Sequence, residues 1–303
     1  MPERLVALFG PTGVGKTEVA IALADRLRER GEDPVAISAD ALQVYRGLET
    51  LTGAATAQEQ ERLEHRLLCI RDPSDTFSAG EYAALAHAEI DSAMAAGRVV
   101  LVVGGTGLYL QAALCDLELR PPPAPGVRER VETQLAEQGA QALHVRLAAA
   151  APGAAAQIAP GDRSRLIRAL ELIEMGEEPV AAGAESQLWT AGMRHPTVLC
   201  GLVMERSALY ERIDSRVDAM MAAGAQGEVL RVAAAGVSVT ARKALGFEDL
   251  LAGNVEAMKR HTRNYAKRQL TWMRKLPRVQ TVDVTDRGAD EVAAQIERLL
   301  GWG

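Results

Sequence analysis

The hydrophobic pattern opens with a short apolar run, Leu5 to Phe9, bounded by a glycine. A run of that length against a turn signal predicts a buried parallel strand. From Thr17 to Glu29 the period changes to that of a helix, with Val19, Ala20, Leu23, Ala24 and Leu27 on one face and Gly31 as the stop. Further strands are predicted at Val35 to Ser38, Val99 to Val103, Val198 to Met204 and Val279 to Val284. Strands separated by helices imply parallel βαβ units with right-handed crossovers. The pattern breaks near Arg120, where Pro121, Pro122, Pro123 and Pro125 mark a stiff linker. Val127 to Glu178 then reads as helices without a strand, Pro179 to His195 as a return loop, and Arg206 to Leu276 as mostly helical.

Composition narrows the class. Of the 303 residues 48% are hydrophobic and only 4% aromatic, which suits helices packed on a buried sheet. Cys69, Cys115 and Cys200 are too scattered for a disulfide framework or a metal cluster, so a reducing cytoplasm is expected. The N-terminus lacks the pattern of a signal peptide, and no apolar run is long enough to span a bilayer; no membrane partner is expected. A net charge of -6 argues against bulk attraction to nucleic acid but leaves room for a local basic patch.

The glycine after the first strand opens the segment Gly10, Pro11, Thr12, Gly13, Val14, Gly15, Lys16, Thr17, a complete G-x-x-x-x-G-K-[ST] motif between strand and helix. Its backbone N–H groups form an anion nest, and the helix dipole adds to it. Lys16 supplies a point charge to phosphate oxygens, and the Thr17 hydroxyl suits Mg²⁺. The phosphate's owner stays open: a nucleoside triphosphate such as ATP, or another diphosphate ester. Asp40 ends the second strand and faces the loop, because ligands of open α/β sheets bind at strand carboxyl ends. It suits a general base or an outer-sphere metal partner, with helix capping as the competing role. Gln43 carries an amide able to pair with an adenine edge, a weak signal alone. A second glycine turn, Gly104-Gly105-Thr106, follows the third strand, which has no terminal acid of the kind that holds Mg²⁺ in motor-type NTPases.

Two basic segments follow. Asp162 is a plausible cap for a helix carrying Arg163, Arg165 and Arg168, which suits a lid or an RNA-contacting arm as well as a solvated face. Met258 to Val282 holds no acidic residue and eight cations, with Arg260, Arg263, Lys267 and Arg274 on one stripe beside the core-facing Ala266, Leu270 and Met273. Tyr265 could stack on a base, whereas Trp272 reads as core. Arg212 and Arg216 share one face of a helix after the fourth strand, within reach of the phosphates or of nearby acids.

GPTGVGKT, SADALQVY, HRLLCIRDPSDTFSAGEY, VVGGTGLYLQAAL, DRSRLIRALE, ALGFEDL and NYAKRQLTWMRK occur in that order between Leu5 and Lys275. Taken together they resemble the tRNA dimethylallyltransferase, or tRNA isopentenyltransferase, family. The expected fold is α/β: a P-loop three-layer core with a parallel sheet (residues 1–119 and 188–303) plus a small all-helical insertion domain (residues 120–187). The resemblance implies dimethylallyl diphosphate and Mg²⁺ in the loop rather than a nucleotide, and attack by N6 of adenine 37, flipped out of the tRNA anticodon stem-loop. It implies Asp40 as base, Thr106 at the reacting centre, and Lys16 and Thr17 on the leaving diphosphate and its metal; Arg212 and Arg216, by their position after the fourth strand, are the candidates for a further diphosphate ligand. It puts Asp40, Ala41, Leu42, Gln43 and Thr106 on the target base, and Arg128, Ser164, Arg165, Leu166, Ile167 and Arg168 on tRNA. A monomer is expected. The sequence departs from the family at Ala41, where Ser is common, at Cys69, where an acid is usual, and in the more apolar segment Val232 to Val239. The competing classes are a P-loop nucleotide or small-molecule kinase and a non-catalytic RNA-binding or GTP-switch module. The basic stretch counts against the first, and the missing N-K-x-D motif against the switch.

Overall fold

A computed structural model describes residues 4–179, 188 and 192–301. The chain divides into two compact units, one of Met1–Glu118 with Leu188–Gly303 and one of Leu119–Gln187.

The larger unit is built on a six-stranded parallel sheet in the order β3-β2-β4-β1-β5-β6. Its strands are β1 (Leu5–Phe9), β2 (Pro34–Ser38), β3 (His65–Arg66), β4 (Val99–Gly104), β5 (Val198–Val203) and β6 (Gln280–Asp283). The five predicted strands are present with no end shifted by more than a residue, and β3 is additional. The alternation within each strand explains the layers. Val6, Leu8, Ala36, Val99 and Leu101 join one core with α1 (Lys16–Glu29) and the C-terminal helix Ala289–Leu299, through Val19, Leu23, Leu27, Val292 and Ile296. The intervening strand residues lie outside that core. Helices α4 (Ala79–Ala95) and α5 (Gly107–Leu114) pack together there, with the Tyr82 and Tyr109 rings 4.4 Å apart, and α4 also packs on β2 and β4. The result is a three-layer α/β unit.

Register then fixes where chemistry can occur. Phe9 pairs with Gly104, and Val103 with Ser38, so β1, β4 and β2 end side by side. The three loops that follow meet at the carboxyl edge of the sheet, at the point where β4 separates β1 from β2.

The smaller unit has helices α6 (Val127–Ala150), α7 (Pro152–Gln157) and α8 (Arg163–Glu174), and no strand among its described residues. Its own core contains Val131, Leu135, Leu143, Leu147, Leu166 and Leu170. Asp162 caps α8 by accepting from the Arg165 N–H at 3.1 Å. The predicted return loop from Pro179 to His195 lies largely outside the described residues.

Candidate active site

The phosphate loop closes between β1 and α1. Gly13 and Gly15 take left-handed φ values of 83° and 97°, which side chains tolerate poorly. Gly15 caps α1 without a side-chain bond. Gly10, Pro11 and Val14 are buried behind the loop, whereas Thr12, Gly13, Gly15, Lys16 and Thr17 line a cavity of about 600 Å³. Lys16 Nζ donates to the carbonyls of Gly10 at 3.0 Å and Pro11 at 3.1 Å. Burial, then the nearby positive charge of Arg216, pulls its pKa down to about 8. The loop therefore holds a cation at a desolvation cost that an anion would relieve.

Asp40 lines the same cavity. It caps its own turn rather than a helix: the Leu42 N–H donates to its Oδ1 at 3.0 Å. Thr106 bridges to this turn from the end of β4. Its Oγ1 accepts weakly from the Ala41 N–H at 3.4 Å and lies 3.5 Å from the Tyr265 hydroxyl. Tyr265 lines the cavity, and burial with the charge of Asp40 pushes its phenol up to about 12, so it is a neutral donor. The Gln43 amide, a candidate adenine reader, is engaged by the protein. Its Nε2 donates to the Gly53 carbonyl at 3.1 Å, and its Oε1 accepts from Ser38 at 3.1 Å. Cys69 has φ 50° and donates its N–H to the Gln43 carbonyl at 2.9 Å. Its thiol is pushed up to about 11 by burial.

The two candidate arginines, on the helix α9 (Arg206–Ala222), differ. Arg212 is exposed and lies 3.5 Å from Glu18. Arg216 lines the cavity, and among the described residues no carboxylate is within ion-pair distance of it. Desolvation lowers its pKa from the usual arginine value, opposed by the charges of Glu18 and Asp40. The remaining wall is mixed: Leu51, Ala54, Ala55, Met220, Leu245 and Met258 give it an apolar share, beside Thr50, Thr52, Thr56, Glu59 and Thr262. Anion-binding groups, a carboxylate and a phenol thus share one space with an oily side.

Gln269 was invisible in the sequence pattern. It is buried on α12 (Val255–Met273), accepts from the Thr12 N–H at 2.9 Å and donates to the Gly105 carbonyl at 2.8 Å. One amide ties the phosphate loop to the β4 turn. A glutamine between Arg268 and Leu270 gives no sign of this, because both partners are more than 150 residues away.

The basic stretch is divided. On α12 Arg263 pairs with Asp214 at 2.5 Å and Lys259 with Asp218 at 2.7 Å, both acids on α9. Arg260, Lys267, Arg268, Arg274 and Arg278 are exposed. Trp272 is half-buried and packs against Gly107.

In the smaller unit Arg128 and Arg168 both pair with the fully buried Glu171, at 2.7 and 3.0 Å, and Arg168 also donates to the carbonyls of Arg120 and Pro121. Ser164 and Arg165 are exposed. Leu166 is buried in the helical core, and Ile167 packs against it. The Leu166 side chain is therefore a packing element and does not present itself to a ligand.

A sequence model described as IPP transferase matches residues 43–276. A tRNA dimethylallyltransferase of Geobacillus kaustophilus is 39% identical over 310 residues, covering 99% of this chain and 96% of the relative. The crystal structure of a full-length tRNA isopentenylpyrophosphate transferase from Bacillus halodurans is 36% identical, with TM-score 0.70, covering 99% of this chain and 96% of that one. A eukaryotic dimethylallyltransferase acting on tRNA, at 23% identity and TM-score 0.77, shares the fold, covering 99% of this chain and 80% of that one. Among the described residues, no helix is long and apolar enough to cross a membrane.

Proposed function

The chain belongs to the tRNA dimethylallyltransferase family, and from that premise we propose that it moves a dimethylallyl group from dimethylallyl diphosphate to N6 of adenine 37 in a tRNA anticodon stem-loop. The observation that carries this reading is the shared cavity, lined together by Lys16, Thr17, Arg216 and Asp40 and by apolar side chains that suit a five-carbon group.

The loop amides, Lys16 and Arg216 hold the diphosphate, with the allyl group against Met220, Leu245 and Met258. The flipped adenine enters over the Asp40 to Gln43 turn. Its N6 lone pair attacks C1 of the allyl group as the C1–O bond breaks and that electron pair departs with the diphosphate. The N6 proton becomes acidic as the C–N bond forms, and the Asp40 carboxylate accepts it. Thr106 steadies the Asp40 turn through Ala41, and Tyr265, beside Thr106, lines the cavity. Negative charge grows on the departing diphosphate, where Lys16 and the loop N–H groups would stabilise it.

Mg²⁺ fits the oxygen donors at this edge. The Thr17 hydroxyl would hold it, and it would neutralise the diphosphate when bound. The helical insertion, through exposed Ser164 and Arg165 and the backbone of α8, docks the anticodon arm; Arg128 and Arg168 shape that surface through Glu171. The enzyme acts in the cytoplasm as a monomer.

Asp40→Asn tests the assignment of the base. Transfer is expected to fall by about 10²–10⁴, with the Kd for dimethylallyl diphosphate within twofold of the parent. Retained turnover, or a parallel loss of diphosphate binding, would remove Asp40 from the role of base.

A further inference from the structure

We propose that Gly53 is the positioning residue for the Arg216 guanidinium; the inference rests on the reading of Arg216 as a diphosphate ligand. The four-residue helix α2 (Glu49–Thr52) ends at Gly53, which turns the chain with φ 58°. The Gly53 carbonyl accepts from Gln43 Nε2 at 3.1 Å and from Arg216 Nη2 at a longer 3.5 Å. Its Cα is equally important. A Cβ there would overlap Arg216 Nη2 and lie 2.9 Å from Cζ and 3.3 Å from Met220 Cε. The guanidinium therefore occupies the volume that any side chain at position 53 would need.

The turn is held too firmly to move aside. At the other end of α2 the N–H groups of Thr50 and Leu51 each donate to the buried Glu228 carboxylate at 3.0 Å. The guanidinium, by contrast, is the far end of a flexible side chain. With no carboxylate to fix it among the described residues, a methyl group at position 53 swings it away from its seat while the fold persists. Gly53 thus sets the direction in which a desolvated cation meets the phosphates, without itself touching the substrate.

The test separates this from backbone strain. Gly31 also has a positive φ, 83°, but open space around its absent Cβ, so Gly31→Ala reports strain alone. Inorganic pyrophosphate binding, steady-state kinetics and thermal melting are compared for the parent, Gly53→Ala, Arg216→Ala, the double variant and Gly31→Ala. The proposal expects Gly53→Ala to weaken pyrophosphate binding at least tenfold and to raise KM for dimethylallyl diphosphate, with KM for tRNA within twofold. It expects Gly31→Ala to bind as the parent does. In the Arg216→Ala background, where the overlap no longer exists, Gly53→Ala should add less than a twofold loss. Additive losses, or no loss in Gly53→Ala where Arg216→Ala shows one, would overturn the proposal. Parent-like binding by Arg216→Ala would instead remove the diphosphate reading of that arginine, and the proposal with it. Should Gly53→Ala fail to fold, the double variant decides: it folds and binds as Arg216→Ala does if the overlap is the cause, and failure of the double variant also overturns the proposal.

Discussion

At the scale of single residues, the site gathers positive charge where water is scarce. Lys16 shows the consequence, since its pKa is lowered to about 8, first by burial and then by Arg216. Only the ammonium form of Lys16 adds its charge to the attraction, so affinity should weaken by up to about tenfold per pH unit above pH 8. Isothermal titration with dimethylallyl diphosphate from pH 6.5 to 9.5 reads this directly, and Lys16→Arg should shift the break upward out of the range. A flat profile through pH 9.5 in the parent would show that Lys16 does not carry the attraction. Much of this residue chemistry was legible in the sequence. Lys16 and Thr17 sit in a motif whose spacing dictates their roles, and Asp40 follows a strand whose carboxyl end must face that motif. Gly53 and Gln269 were not legible, because their significance lies in what they meet: a guanidinium 163 residues away and a loop 257 residues away.

At the scale of elements, α12 does two jobs on two faces. Ala266 and Met273 are buried, while Gln269, on that inner side, ties the phosphate loop to the β4 turn. Gln269→Leu keeps the size but leaves the Thr12 N–H and Gly105 carbonyl without their partner. That costs about 1–3 kcal/mol of stability, read by denaturant melts, and should raise KM for the diphosphate as the loop loosens. An unchanged melt and KM would mean that the loops hold their geometry without the tie. The helical period found α12 and its apolar stripe, but it treated Arg263 as part of a free basic face. In the fold Arg263 is paired with Asp214 and Lys259 with Asp218, acids on a neighbouring helix that linear reading cannot place opposite them. The short β3 was missed for a different reason: His65 and Arg66 carry no apolar signal, and their strand character comes from pairing with Ala36 and Ile37.

At the scale of the whole molecule, alternating strands and helices predicted a parallel sheet, and a proline cluster predicted a break. Strand order was beyond sequence pattern, yet it makes the site: β4 lies between β1 and β2, so Gly105, Thr106 and Asp40 converge on the loop that starts at Gly10. The insertion is a separate helical unit with its own core, in which Glu171 draws in Arg168, which the helical pattern offered to RNA, and Arg128, which the family resemblance placed there. The central claim is that these parts make one enzyme, which prenylates tRNA. The most direct test incubates the purified protein with dimethylallyl diphosphate, Mg²⁺ and an unmodified tRNA carrying adenines at positions 36, 37 and 38, then digests the RNA and weighs its nucleosides. The account predicts an adenosine heavier by one dimethylallyl group, mapped to position 37 and formed with release of diphosphate. Unmodified adenosine after full incubation, together with ATP consumption when a small acceptor is supplied, would contradict it.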